Sequence, residues 1–345
     1  MTGALRTRLC EELGIDYPIF SVGFGAGAGP ELAAAVSNAG GCGVLGGGMP
    51  AAELRRRIAA TRELTGRPFG VNVIVADLED PQAPEEDRAF TLEQIATAIE
   101  ERPAVLVLFW GDPAPFVEDA HANGVRVLVQ VGSVAEAEAA AAAGVDAVIV
   151  QGIEAGGHVR GTTSIWDLLP AAVEALAPLP VLASGGIGDG AGLARALALG
   201  AQGVSLGTRF VASDEAAIHP VHKRRVVESR AEDTVHTGLF DAWWPDAAHR
   251  TLRNRTYDEW IAAGCPPPGE RPGEGTSIGT RRLATGELQD WPRYAVGLVP
   301  PSFEGDLDRV PLLVGESCGV VDAIEPAARI VERLARDAGA ALPSS

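Results

Sequence analysis

The residues best suited to chemistry lie in one string, Val150-Gln-Gly-Ile-Glu-Ala-Gly-Gly-His-Val-Arg-Gly161. A single imidazole, His158, follows Ala155, Gly156 and Gly157, which carry almost no side-chain bulk. An imidazole so placed can fold over a planar ligand and act as base or hydrogen-bond donor near neutral pH. Glycine turns also follow the next two apolar runs, at Ala183-Ser-Gly-Gly-Ile-Gly188 and Leu206-Gly-Thr-Arg-Phe210. Glycines let a backbone approach a flat or phosphorylated ligand and turn amide groups toward it. A titratable group beside such a platform points to catalysis on a bound cofactor. Gln151 and Asn72 are placed to satisfy the edge of a heterocycle, or else to hydrogen-bond within the core. Glu154 either orients the imidazole or faces solvent.

Positioning these groups requires a regular scaffold, and the apolar pattern supplies one. Short apolar runs at Ile19–Val22, Gly43–Leu45, Phe69–Val75, Ala104–Phe109, Val125–Val131, Ala147–Gln151, Pro180–Ser184 and Gly203–Leu206 read as strands. Helical stretches, many rich in alanine, separate them, punctuated by Pro30 at one start and by Gly40, Gly124, Gly144 and Gly200 past the ends. Eight strand–helix units predict an α/β fold, a (β/α)8 TIM barrel; an open doubly wound sheet is the alternative. The second run ends Gly46-Gly47-Gly48, where a dinucleotide-binding sheet would want an acid for the ribose. In a barrel the loops after the seventh and eighth strands commonly bind phosphate. Here those loops offer Ser184, Gly185, Gly186, Gly207 and Thr208, and the helix after Gly190 offers its N-terminal dipole.

Alternation stops after Val211. Residues 213–314 are expected to form an inserted, lid-like segment after strand eight, with residues 1–212 as the barrel and a C-terminal helix, 315–340, closing it. Trp243, Trp244, Tyr257 and Trp260 in the insertion either roof a substrate pocket or form a small satellite core.

Composition bounds the function. The chain has 345 residues, 46% of them hydrophobic, and a formal net charge of −18. So acidic a surface opposes nucleic acid and anionic membranes as partners. No apolar run approaches the ~20 residues that span a bilayer, and residues 1–14 do not read as a secretory signal. Cys10, Cys42, Cys265 and Cys318 lack metal-binding spacing, so no metal is expected and a reduced, cytoplasmic chain fits.

Taken together, Pro18-Ile19, the stretch from Pro30 to Gly41, Gly70-Val-Asn72, the Glu154-to-His158 string and both later glycine turns resemble the nitronate monooxygenase (2-nitropropane dioxygenase) family, related to flavin-dependent enoyl-reductases. The resemblance covers Tyr17 to Phe210. It implies a flavoprotein binding FMN at the C-terminal face of the barrel, with a small-molecule substrate and O2 as partners; a homodimer is compatible with it. By matching position, Val22, Gly23, Asn72, Gln151, Gly156 and Gly157 would lie against the isoalloxazine or ribityl portion. Ser184, Gly185, Gly186, Gly207 and Thr208 would hold the phosphate, and His158 would be catalytic. The implied reaction oxidises alkyl nitronates to a carbonyl compound and nitrite.

The chain departs from the family pattern at Val22-Gly23-Phe24, where Ala-Pro-Met is common, at Val159, which interrupts His-Arg-Gly, at Ser205, where Gln is frequent, and in its long insertion. Two other activities stay open. An FMN-dependent reductase or dehydrogenase would act on an enoyl- or acyl-thioester with NAD(P)H; Arg250, Arg253, Arg255, Arg271, Arg281 and Arg282 either form a solvated face, the commoner case, or bind the coenzyme A phosphates. A barrel that binds a phosphorylated ligand without turnover is the third.

Overall fold

Strands buried on both faces must be apolar throughout, and the eight expected runs meet that condition. The computed structural model describes residues 5–283 and 286–342. The first four residues of the expected 1–212 unit, and residues 284 and 285 of the expected insertion, lie outside them. Eight parallel strands form one sheet: β1 (Ile19–Ser21), β2 (Gly43–Gly46), β3 (Phe69–Ile74), β4 (Val105–Phe109), β5 (Arg126–Val131), β6 (Ala147–Gln151), β8 (Val181–Ser184) and β9 (Gly203–Leu206). Between β6 and β8 lies a two-residue strand, β7 (Gly157–His158), which belongs to another sheet. β9 pairs with β1, and a parallel bridge between Phe20 and Cys42 closes the ring between β1 and β2. The expected (β/α)8 TIM barrel is therefore the fold.

Side chains alternate across the barrel wall. Phe20, Val44, Val107, Leu128, Ile149 and Leu182 fill the interior, and Leu9, Cys10 and Leu13 from the N-terminal helix Arg8–Leu13 pack with them. Val71, Val73, Leu106, Leu108, Val127, Val129 and Val148 join the larger core that includes buried residues of the surrounding helices. Parity then places Asn72, Phe109, Gln130, Gln151, Ser184 and Ser205 on the interior side near the C-terminal ends of their strands, where a layer that is polar except for Phe109 replaces the apolar packing.

The segment after β9 is not a free excursion. Its β10 (Thr234–Thr237) and β11 (His249–Leu252) form an antiparallel sheet with β7. A second small sheet joins β12 (Ser277–Arg282), β13 (Leu288–Pro292) and β14 (Glu304–Gly305). Trp291, Val299, Phe303, Val310, Leu312 and Val314 belong to the main core, whereas Leu239, Phe240, Tyr294, Val296 and Leu313 make a separate cluster.

The C-terminal helix differs from expectation. Residues 316–320 form a 3-10 turn, residues 321–326 are not helical, and the helix is Ala327–Ala341. Pro326, at the N-cap, disfavours helical backbone in the residue before it. Arg209, 1% exposed, anchors the non-helical piece through Ala323 O at 3.0 Å and the Glu325 carboxylate.

Candidate functional site

All twelve sequence-derived candidates line one cavity of about 220 Å3 at the C-terminal mouth of the barrel. Val22 and Gly23 follow β1, Asn72 sits on β3, and Gln151 ends β6. Gly156, Gly157 and His158 approach from the next loop. Ser184, Gly185 and Gly186 come from the end of β8 and its loop, Gly207 and Thr208 from the loop after β9. Gly185 and Gly186 have φ of 101° and 68°, a region that a side chain disfavours. The Thr208 hydroxyl accepts from Gly315 N at 2.9 Å, so its own proton is free to donate.

His158 is held more firmly than its glycine-rich loop suggests. It pairs with His249 of β11, so the insertion fixes its backbone. Gln151 clamps the same segment from inside the barrel. Its Nε2 donates to His158 O at 2.9 Å, and its Oε1 accepts from Arg160 N at 3.2 Å. The Trp244 ring lies 4.1 Å from the imidazole, centroid to centroid, and His158 Nε2 is buried without a hydrogen-bond partner. Burial, with a smaller contribution from His249, pushes the imidazole down to about 3. His158 is therefore neutral at physiological pH and a weak proton acceptor, a better hydrogen-bond donor than a base.

Several neighbours carry other duties than those expected. The Glu154 carboxylate neither orients the imidazole nor faces solvent; it accepts from Ser164 Oγ and Ile165 N at the start of helix Ile165–Leu176. The dipole of helix Gly190–Ala198 is met by the chain's own Asp189, whose carboxylate accepts from Gly192 N at 2.8 Å. That N-terminus is absent from the cavity lining, so the phosphate-binding duty expected of it is not supported. Arg160 pairs with Glu136 at 2.6 Å and lies over the Trp110 ring.

Sequence reasoning missed Gln130 and Ser317, and treated Ser205 only as a departure. Gln130 is 9% exposed, and it, Ser184, Ser205 and Ser317 all line the cavity. Among the described residues, none of these four side chains has a protein hydrogen-bond partner. Their free polar groups face the cavity, so its wall offers hydrogen bonds to a polar ligand. The only local signal at Gln130 was an amide inside an apolar strand run. Ser317 gave none, because its 3-10 turn reaches the mouth from 110 residues beyond Gly207.

The insertion's aromatics lie in two places. Trp243 and Trp244 line a larger adjoining chamber. Tyr257 and Trp260 pack on the separate cluster, which Trp244 also touches. Of the six arginines considered for coenzyme A phosphates, Arg281 alone lines either cavity. Arg250 is buried against Ile153 O, Thr234 and Glu316; Arg253 pairs with Asp258; Arg255 pairs with Asp306 and Asp308. Arg271 pairs with Asp241 and Glu274, and Arg282 donates to Gly286 O. Among the described residues, no helix is long and apolar enough to cross a membrane and no His, Cys, Asp and Glu grouping suits a metal.

Comparison with known proteins agrees with this architecture. FabK from Thermotoga maritima superposes with a TM-score of 0.76 and 33% identity, over 97% of both chains. A nitronate monooxygenase of Paraburkholderia phytofirmans is 38% identical over 265 residues, 65% of this chain and 71% of that protein. The (3aS,4S,5R,7aS)-5-hydroxy-7a-methyl-1-oxo-octahydro-1H-indene-4-carboxyl-CoA dehydrogenase of Rhodococcus jostii is 39% identical over 249 residues, 72% of this chain and 66% of its own length. The family pattern described as nitronate monooxygenase matches residues 6–337. With the match running from before the first strand into the last helix, the chain belongs to the nitronate monooxygenase family.

Proposed function

We propose that this oxidoreductase binds FMN in the cavity at the barrel mouth and oxidises alkyl nitronates with O2 to a carbonyl compound and nitrite. The observation that carries this reading is the cavity itself: glycine turns at one end, unpartnered Gln130, Ser184, Ser205 and Ser317 side chains, and His158 at its edge. Those features fit a flat, polar-edged ring with an anionic tail. Gly185, Gly186, Gly207, Ser184 and Thr208 would hold the phosphate, while Val22, Gly23, Asn72, Gly156 and Gly157 would flank the ring. When bound, the flavin supplies the electron transfer from nitronate and onward to O2; atoms balance when one O2 serves two nitronates.

The chain's own work is positioning. A nitronate is already deprotonated, so a neutral imidazole suffices: His158 donates a hydrogen bond to a nitronate oxygen and steadies its charge. Gln151, with one bond at each amide end, holds that imidazole in place and has one N–H left to offer the heterocycle. Residues 213–314 act as a lid on the barrel of 1–212 and 315–340, and Trp244 excludes water above His158.

A second reading, reduction or dehydrogenation of an enoyl- or acyl-thioester with NAD(P)H, is favoured by the likeness to the Rhodococcus dehydrogenase. Five of the six arginines considered for its phosphates lie outside both cavities, and Arg281 alone lines the larger one. Anaerobic mixing of the purified, yellow protein with propyl nitronate, NADPH or an acyl thioester separates the two. Bleaching by the nitronate is expected. Bleaching by NADPH with no response to nitronate would replace the first reading with the second.

A further inference from the structure

Beside the cavity of about 220 Å3 lies a larger chamber of about 1070 Å3, which shares Gly23, Phe24, Gly25, Asn72, Ile74 and Leu298 with it. Such a space exceeds the needs of a short nitroalkane many times over. Its aromatic wall is built from two distant segments. Trp110, just past β4, has φ of 70°, a left-handed backbone rarely adopted by a bulky residue, and such strain is retained chiefly at functional positions. Trp244 comes from the insertion, lies 5.2 Å from Trp110, and reaches the His158 ring at 4.1 Å. The two indoles thus join the chamber to the imidazole. Ile74, 42% exposed and shared by both cavities, adds an apolar face.

Charge along the chamber is one-sided. Asp77, Glu79, Asp80, Asp87 and Asp246 line it, and among the described residues none of the five makes an ion pair. The Asp77, Glu79 and Asp80 carboxylates accept from Thr91, Asp112 N and Gln82 N, while Arg88 donates to the Asp80 backbone carbonyl. The two guanidinium groups present are engaged: Arg160 with Glu136, and Arg281 with Gln289 and the Trp243 face. The five unpaired carboxylates outnumber these two guanidinium groups, so a polyanionic tail would meet a net negative wall.

We propose that this chamber is the substrate compartment, that it takes a bulky, cyclic apolar body with no anionic tail, and that Trp244 is its specificity-determining residue. The assignment rests on the reading that the smaller cavity holds the flavin, and it narrows the substrate from alkyl nitronates in general to ring-bearing ones. Chemical discrimination follows from the two walls: indole faces favour a flat or alicyclic skeleton, and the carboxylates reject a distal negative charge.

Binding of unreactive nitro compounds to the purified protein tests it by calorimetry. Nitrobenzene, nitromethane and 4-nitrobenzoate share one head group and differ in body and tail. Nitrobenzene is expected to bind at least about tenfold more tightly than either of the others, a difference of about 1.4 kcal/mol. Trp244→Ala should erase the preference over nitromethane, and Asp80→Asn with Asp87→Asn should narrow the gap to 4-nitrobenzoate. Equal binding of nitromethane, or of 4-nitrobenzoate, by the unaltered protein would overturn the proposal without recourse to any variant. Flavin content, read by absorbance on the same samples, is a separate outcome: colourless protein would sink the cofactor reading, whereas the order of affinities judges the chamber.

Discussion

Residue by residue, the site divides into groups that touch ligand and groups that place them. His158→Ala is expected to lower turnover on nitronates by about 10²–10⁴-fold, the range spanned by one acid–base or charge-stabilising group, with flavin content unchanged. Retained turnover would remove His158 from the reaction. Because burial holds the imidazole near 3, kcat/KM should show no ionisation near 6.5 that disappears in His158→Ala. A limb there that the variant abolishes would mean that bound ligand restores ordinary basicity. Gln151 and Gln130, one strand apart, make a sharper pair. Gln151 is bonded at both amide ends to the His158–Arg160 backbone, so Gln151→Met should lower turnover more than flavin affinity. Gln130 has no partner, so Gln130→Met should weaken flavin binding by about tenfold, the worth of one buried hydrogen bond. Equal effects of the two changes on flavin affinity would contradict this division.

Among elements, the decisive junction joins the His158 loop to the segment entering the C-terminal turn. A Cβ on Gly156 would lie 2.3 Å from Gly315 N, and one on Gly315 would lie 2.6 Å from Gly156 N. Neither neighbour is a flexible side-chain tip, so backbone must shift. Glu316 N also donates to Glu154 O at 2.9 Å, which locks the two stretches together. Gly156→Ala should therefore release flavin and lower Tm by several degrees, as about 1–3 kcal/mol of overpacking would. Gly238→Ala, where nothing lies within 4 Å, should leave both unchanged. Equal behaviour of the two variants would show that the junction tolerates movement.

For the whole molecule, the insertion and the barrel share a set of histidines kept neutral by burial. His222 falls to about 4, and His219, His236 and His249 are lowered as well, each chiefly by desolvation. An unfolded histidine takes up its proton near 6.5, but these folded ones resist until lower pH. Between the two values the unfolded chain binds more protons, so stability is full above pH 6.5 and declines as pH falls toward 4. Thermal unfolding followed between pH 8 and 4 should show Tm falling below about 6.5. His222→Gln retains a donor for Leu313 O, now accepting from His222 at 3.2 Å, and should flatten part of the decline. A Tm independent of pH across this interval would refute the buried-neutral assignment.

What the sequence determined by itself was whatever depends on local periodicity. The eight barrel strands were legible to within one or two residues, because a doubly buried parallel strand is apolar along its length and an Ala-rich helix ending in glycine is equally plain. Twelve members of the cavity were legible too, since a barrel brings all its strand-end loops to one face, whereas Gln130 and Ser317 were not. Tertiary structure alone decided what those members do. Gln151 and Gln130 look alike in sequence, and only the return of the His158 segment beneath the insertion occupies one amide and leaves the other free. Glu154 and Asp189 are taken up by helix starts, which residue type did not reveal. Ser317 reaches the mouth, and Trp244 reaches His158, by chain reversals across more than eighty residues. Such contacts are fixed by packing and strand pairing between distant segments, and no local pattern encodes them.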